Sequence, residues 1–245
     1  MTWQWFHRLS SPKSYFEITD WLLKPMMLIS LILISVGLYF GLYDSPKDYQ
    51  QGHSVRIMYL HVPTAIASMV GYVVMAVAAA VGYIWRIKLA PMTAIAVAPV
   101  GAAMTFLALA TGSLWGKPTW GTWWVWDARL TSELILLFLY LGFIALHNAF
   151  EDREVADRAA GVLAMVGVIN VPIIHYSVYW WNTLHQQDTI SVTGESLLPF
   201  SMKLPLMLMI FGVLIFCTAL SMYRIRNEVL EREGDKGWIR ERLSE

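Results

Sequence analysis

The chain has 245 residues, 57% of them hydrophobic and 15% charged, with a mean hydropathy of +0.50 and no net charge. That apolar share exceeds that of ordinary globular domains, and a neutral chain offers no overall attraction for nucleic acid. A single cysteine, Cys217, excludes an intramolecular disulfide, a CxxC redox pair and a multi-cysteine zinc site.

Crossing a bilayer as a helix takes about twenty apolar residues, and six such runs are found in chain order. The first, 22–43, reads as a retained span, because it is too long for a signal core and no A-x-A site follows. A loop over 44–59 carries His53. The second span, 60–85, opens in YLHVPTA, where Pro63 fits the first turn of a helix and sets His61 at its mouth. The third, 92–114, leads into Trp115–Asp127, WGKPTWGTWWVWD, which holds five of the twelve tryptophans. Gly116, Pro118 and Gly121 break this stretch, so a loop is predicted over 115–129. The fourth span is 130–149, with His147 at its end, and EDREVADR over 151–158 reads as a solvated turn. The fifth, 159–180, contains His175 beside Pro172 and leads into WWNTLHQQ, which carries His185. The sixth is 204–223, and the charged tail over 224–245 is expected to form a short helix in water. The fold expected is therefore an all-α integral membrane protein, one six-span domain over 1–245.

Lysine and arginine set the orientation. With the N-terminus inside, the inner side holds thirteen of the eighteen Lys and Arg, six of them from Arg224 onward. Both termini are then cytoplasmic, and the loops 44–59, 115–129 and 181–203 share the outer face. Trp115, Trp120, Trp123, Trp124, Trp126, Trp180 and Trp181 lie in or beside the last two. Tryptophan commonly anchors turns at headgroup level. Five on a Gly-spaced backbone read instead as an aromatic surface for a flat apolar ligand.

The six histidines divide by position. His7, His53 and His147 read as interfacial or solvated. His175 lies at membrane depth, where an ionisable group is a functional hypothesis by default, although a neutral histidine beside a proline kink is more often structural glue. His61 and His185 come from different loops to one face, with the tryptophans between them in sequence. Neutral imidazoles on either side of a flat metal macrocycle form a common axial pair. Haem would use apolar faces against tryptophan, iron against histidine and propionates against a cation. Arg129 suits the propionates, since guanidinium binds carboxylate bidentately, and equally suits anchoring of the fourth span. Asp127 is its ion-pair partner or an orienting group. No P-loop, Ser-His-Asp order or dinucleotide fingerprint occurs.

With WGTWWVWD flanked by His61 in HVP and His185 in TLHQ, the chain resembles the WWD-domain haem-handling proteins of cytochrome c maturation over essentially its whole length. The resemblance implies a multi-pass protein of the bacterial inner membrane that holds haem b at the periplasmic face. It implies delivery to the haem chaperone CcmE, where haem becomes attached through a histidine of the chaperone. Further partners implied are CcmD and the transporter subunits CcmA and CcmB. His61 and His185 match the family's axial ligands, and Trp115, Trp120, Trp123, Trp124, Trp126 and Asp127 its platform. The implied role is handover, not conventional catalysis. Two other readings stand beside it: a small-molecule or ion transporter with a midplane path through His175 and Asn170, and a scaffold whose tryptophans only anchor it.

Overall fold

In the computed structural model, residues 11–185 and 198–243 are described. The order is α1 (Pro12–Tyr39), α2 (Met58–Trp85), α3 (Leu89–Trp120), α4 (Ala128–Asn148), α5 (Arg153–Gly167), α6 (Asn170–Trp180), α7 (Phe200–Glu233) and α8 (Gly237–Leu243). A π turn, Phe40–Asp44, extends α1, and a 3-10 turn, His53–Ile57, leads into α2. Six helical segments are long and apolar enough to cross a membrane, α5 and α6 counting as one. An even number of crossings returns both described ends to one side, so the starts of α2, α4 and α7 and the ends of α3 and α6 share the opposite side. The all-α architecture with six membrane-spanning helices expected from sequence is the one observed.

Several boundaries differ from the expected ones, each for a local reason. The first helix starts at Pro12, ten residues before the apolar run, with proline in its first turn where a missing N–H costs nothing. The third continues through Pro118 to Trp120, so the first six of the fifteen residues of the predicted tryptophan loop are helix. Its terminator is Gly121, left-handed at φ 77°, whose N–H bonds to the Lys117 carbonyl at 3.1 Å. The fifth crossing breaks at Val168 and Ile169, and Val168 lies four residues before Pro172, where the proline ring meets the helix carbonyl.

The charged tail is not simply solvated. Residues 224–233 continue α7, and Ile225 and Val229 are buried with Phe16, Leu89 and Met92. Helix α8 folds back so that Trp238 meets Phe16 edge-on at 5.6 Å, while Arg226 and Arg242 both pair with Asp20. At this same end Arg232 grips Asp157 through two bonds, 2.7 and 2.9 Å, and His147 Nε2 lies 3.1 Å from the same carboxylate. His147 is thus part of an ionic cluster joining α4, α5 and α7.

The packing is tightest where small residues meet large ones. Tyr72 and Tyr140, both fully buried, meet edge-on at 5.0 Å in a core shared by α2, α3, α4, α5 and α6. Gly101 of α3 makes room: a Cβ there would stand 2.2 Å from Tyr140 Cζ and Oη. A second core joins Val55, Met58 and Tyr59 to Met202, Leu206, Met209 and Ile210 of α7. These two cores hold the starts of α2 and α4 and the end of α3 in fixed relation.

Candidate functional site

His61 lies in the first turn of α2, where its ring crosses to α3. Its Nδ1 is 3.0 Å from the Ala108 carbonyl and 3.3 Å from Thr111 Oγ1. A carbonyl only accepts, so Nδ1 carries the proton and Nε2 keeps its lone pair, the tautomer a metal-binding histidine needs. The ring seats over Gly112, where a Cβ would come within 2.9 Å of Cε1.

His185 follows α6 by five residues and reaches the same place. The His61 and His185 ring centroids are 6.3 Å apart, tilted by 40°. Metal–imidazole bonds of about 2 Å on each side put the centroids of two opposed rings about 6 Å apart, so the spacing fits one metal atom between them. Among the described residues no three His, Cys, Asp or Glu side chains gather to hold an ion. A pair alone suits a metal whose other ligands come from its own macrocycle.

The tryptophans divide into groups instead of forming one plane. Trp115 stands edge-on to His61 at 5.8 Å, and its Nε1 donates to Gln51 Oε1 at 2.8 Å. Trp120 lies 6.3 Å from His185. Trp124 and Trp126 form their own edge-on pair at 5.4 Å, with Trp126 76% exposed. Trp123 is also exposed, with the Lys117 ammonium 5.9 Å from its ring. Two side-chain hydroxyls shape this turn: Ser113 donates to the Trp123 carbonyl and Thr122 to that of Trp124.

Asp127 ends the turn as the N-cap of α4, its Oδ1 accepting the Leu130 N–H at 2.8 Å. Among the described residues, the buried Asp127 Oδ2 and Trp124 Nε1 have no hydrogen-bond partner. An orphaned acceptor and donor are what a site for a polar-edged ligand leaves open. Arg129, in the first turn of α4, donates Nη1 to the Ile174 carbonyl of α6 at 3.3 Å. The structure therefore brings together His61, His185, Trp115 and Trp120, and seats Asp127 and Arg129 on the adjoining helix start.

The family model described as CcmC, heme exporter protein C, matches residues 5–240. The chain belongs to the heme exporter protein C family. A protein of Escherichia coli K12 bearing that name is 52% identical over 239 residues, covering 98% of this chain and 96% of the relative. One from Haemophilus influenzae is 49% identical over 238 residues, covering 97% of each. A protein of Marchantia polymorpha, called a putative cytochrome c biosynthesis ccmC-like mitochondrial protein, is 42% identical over 188 residues, with 77% and 79% covered.

Other expected residues fall elsewhere in this family member. His175 is exposed on the outward side of α6, its ring 4.8 Å from that of Tyr176. Asn170 ties α6 to α4 by donating to the Ser132 carbonyl at 2.8 Å. His53 is exposed, and His7 lies outside the described residues. A cavity of about 670 Å³ opens at the end that carries the termini, away from His61 and His185. The lysine and arginines in its wall include Lys88, Arg158 and Arg232, which pair with Glu233, Glu154 and Asp157.

Sequence reasoning passed over two residues here. Gln51, from the loop before α2, holds the Trp115 indole, and nothing in its local pattern distinguishes it. Glu133, 8% exposed within α4, accepts the Ser68 hydroxyl at 2.9 Å. It had a signal: it is the only Asp, Glu, Lys or Arg between residues 130 and 149.

Proposed function

We propose that this chain holds haem b between His61 and His185 at the periplasmic face of the bacterial inner membrane and hands it to the haem chaperone CcmE for cytochrome c maturation. The observation that carries the reading is the 6.3 Å separation of the two rings, with the His61 proton committed to the Ala108 carbonyl. Family membership supports haem handling, since the relatives named above are heme exporters or cytochrome c biosynthesis proteins. The excess of Lys and Arg at the end carrying the termini supports an outward site.

In this reading haem is cargo. Its iron takes the two axial nitrogens, and its reactive edge supplies the chemistry of attachment to the chaperone. The chain's own contribution is positional. His61 offers Nε2 from a rigid helical turn, and His185 closes the other side. Trp115 and Trp120 pack beside the two imidazoles and exclude water. Arg129 faces the acidic propionates, for which its planar fork is suited, while Asp127 holds the turn that presents it. The exposed Trp123 and Trp126 leave an aromatic surface for the chaperone. CcmD and the transporter subunits CcmA and CcmB are the further partners proposed.

The test is the absorption spectrum of the purified chain beside His61→Ala and His185→Ala, each produced with and without the chaperone. A low-spin haem signal lost or altered in both variants, with loaded chaperone falling in parallel, is the expected result. An unchanged spectrum in both variants removes these histidines as ligands.

A further inference from the structure

Beneath the outer site lies a buried carboxylate that haem ligation does not use. Residues four apart on a helix sit one above the other, so Glu133 lies one turn deeper than Arg129 on the same face of α4. Across the helix interface, Ser68 Oγ donates to Glu133 Oε1 at 2.9 Å. Ser68 in turn lies seven residues, two turns, below His61 on α2. One rung lower, the Tyr140 hydroxyl donates to the Ser68 carbonyl at 2.8 Å. His61 and Arg129 thus stand above a polar ladder that registers α2 against α4.

Helix glue alone does not call for a carboxylate. A glutamine would accept the Ser68 hydroxyl equally well, without placing an ionisable acid at membrane depth, where such groups are costly and serve function. What the acid adds is charge, and Arg129 is the cation one turn away. The guanidinium already gives one N–H to the Ile174 carbonyl. With a counter-charge below and that carbonyl beside it, Arg129 has a preferred direction before any ligand arrives, which lowers the ordering cost of binding.

We infer that Glu133 is the positioning residue for Arg129: its carboxylate anchors the guanidinium from below so that Arg129 meets the acidic groups of a ligand held between His61 and His185. This rests on the haem reading of the outer site.

The experiment measures the rate at which haem leaves the purified full chain to a haem scavenger, using haem and haem dimethyl ester, whose propionates carry no charge. Glu133→Gln keeps the bond from Ser68 and removes the charge. It should speed loss of haem about tenfold and leave loss of the ester unchanged. Arg129→Gln should do the same, and the double variant should be no worse than either single one. Equal acceleration for haem and ester, additive effects, or no acceleration overturns the inference. Glu133→Asp, which keeps the charge but withdraws it by one carbon, serves if Glu133→Gln does not fold. Faster loss of haem alone supports the role, and equal loss of both probes overturns it. His61→Ala and His185→Ala run alongside separate the two levels. If they also leave haem retention intact, the haem reading itself fails; if they abolish it while Glu133→Gln does not disturb it, only the role of Glu133 falls.

Discussion

Replacing Gly112 by alanine should raise the stability of α3 and lower the hold on haem, two effects of opposite sign from one methyl group. A Cβ at 112 would stand 2.9 Å from His61 Cε1 and 3.3 Å from Nδ1. Carbon contacts settle near 3.5–4.0 Å, so the ring must withdraw by about 0.6 Å or more. The Nδ1 bond to the Ala108 carbonyl, now 3.0 Å, would then stretch beyond hydrogen-bond range. Losing it costs about 0.5–1.5 kcal/mol, which converts to at most about a tenfold weaker site. The helix itself gains, because alanine is favoured over glycine in a helix interior by about 1 kcal/mol, and position 112 does not have the left-handed backbone that would oppose the change. Haem per chain by absorption and unfolding temperature by tryptophan fluorescence, on the same preparation, report the two effects separately. Haem retention equal to the parent, with the methyl group accommodated, would show that the His61 slot is not what holds the ring.

Asp127→Ala should cost about 1 kcal/mol through loss of the N-cap, whereas Asp127→Asn keeps an oxygen for the Leu130 N–H and should unfold within a few degrees of the parent; equal destabilisation of both would sink the capping argument. Arg232→Ala leaves Asp157, whose side chain is 14% exposed, without its doubly bonded partner. It should destabilise the fold by about 3 kcal/mol while leaving haem per folded chain unchanged, because the cluster lies at the opposite end; a fall in haem per folded chain would contradict that separation. Gly101→Ala drives a methyl group into Tyr140 and should cost about 1–3 kcal/mol by overpacking, with partial recovery on adding Tyr140→Leu, as read by thermal unfolding.

The spans were legible because apolar length is a strong signal, and His61 and His185 because the even topology places their segments on one face. The end of α3 was not legible. Pro118 argues against helix locally, yet it stands three residues before Gly121, and the glycine's left-handed turn decides the boundary. The inward folding of the tail was hidden for a different reason: Ile225 and Val229 are scattered among charges, and only the opposing Phe16 and Trp238 show that they form a core. Arg129 was recognisable as a cation at the right place, but its partners were not. The Ile174 carbonyl that accepts from Arg129, like the Ser68 hydroxyl that reaches Glu133, comes from another helix, and such pairings follow from helix rotation, which six uniformly apolar spans encode weakly.

The two histidines reach their meeting point by different routes, and this bears on how a cargo leaves. His61 belongs to a helical turn, with its ring seated between the Ala108 carbonyl and Gly112. Little conformational entropy remains for it to lose when a metal binds. His185 lies five residues past Trp180, outside any helix, and its backbone carbonyl accepts the Thr183 hydroxyl at 3.2 Å. Ordering a residue in such a segment costs more than using one already fixed. Of two imidazoles bound to one iron, the preorganised one contributes more net affinity and the other gives way first. His61→Ala should therefore speed haem loss more than His185→Ala does. Haem would leave by opening on the His185 side, beside the exposed tryptophans where a receiving protein would stand. The reverse order of loss would mean that the helical ring is not the anchor.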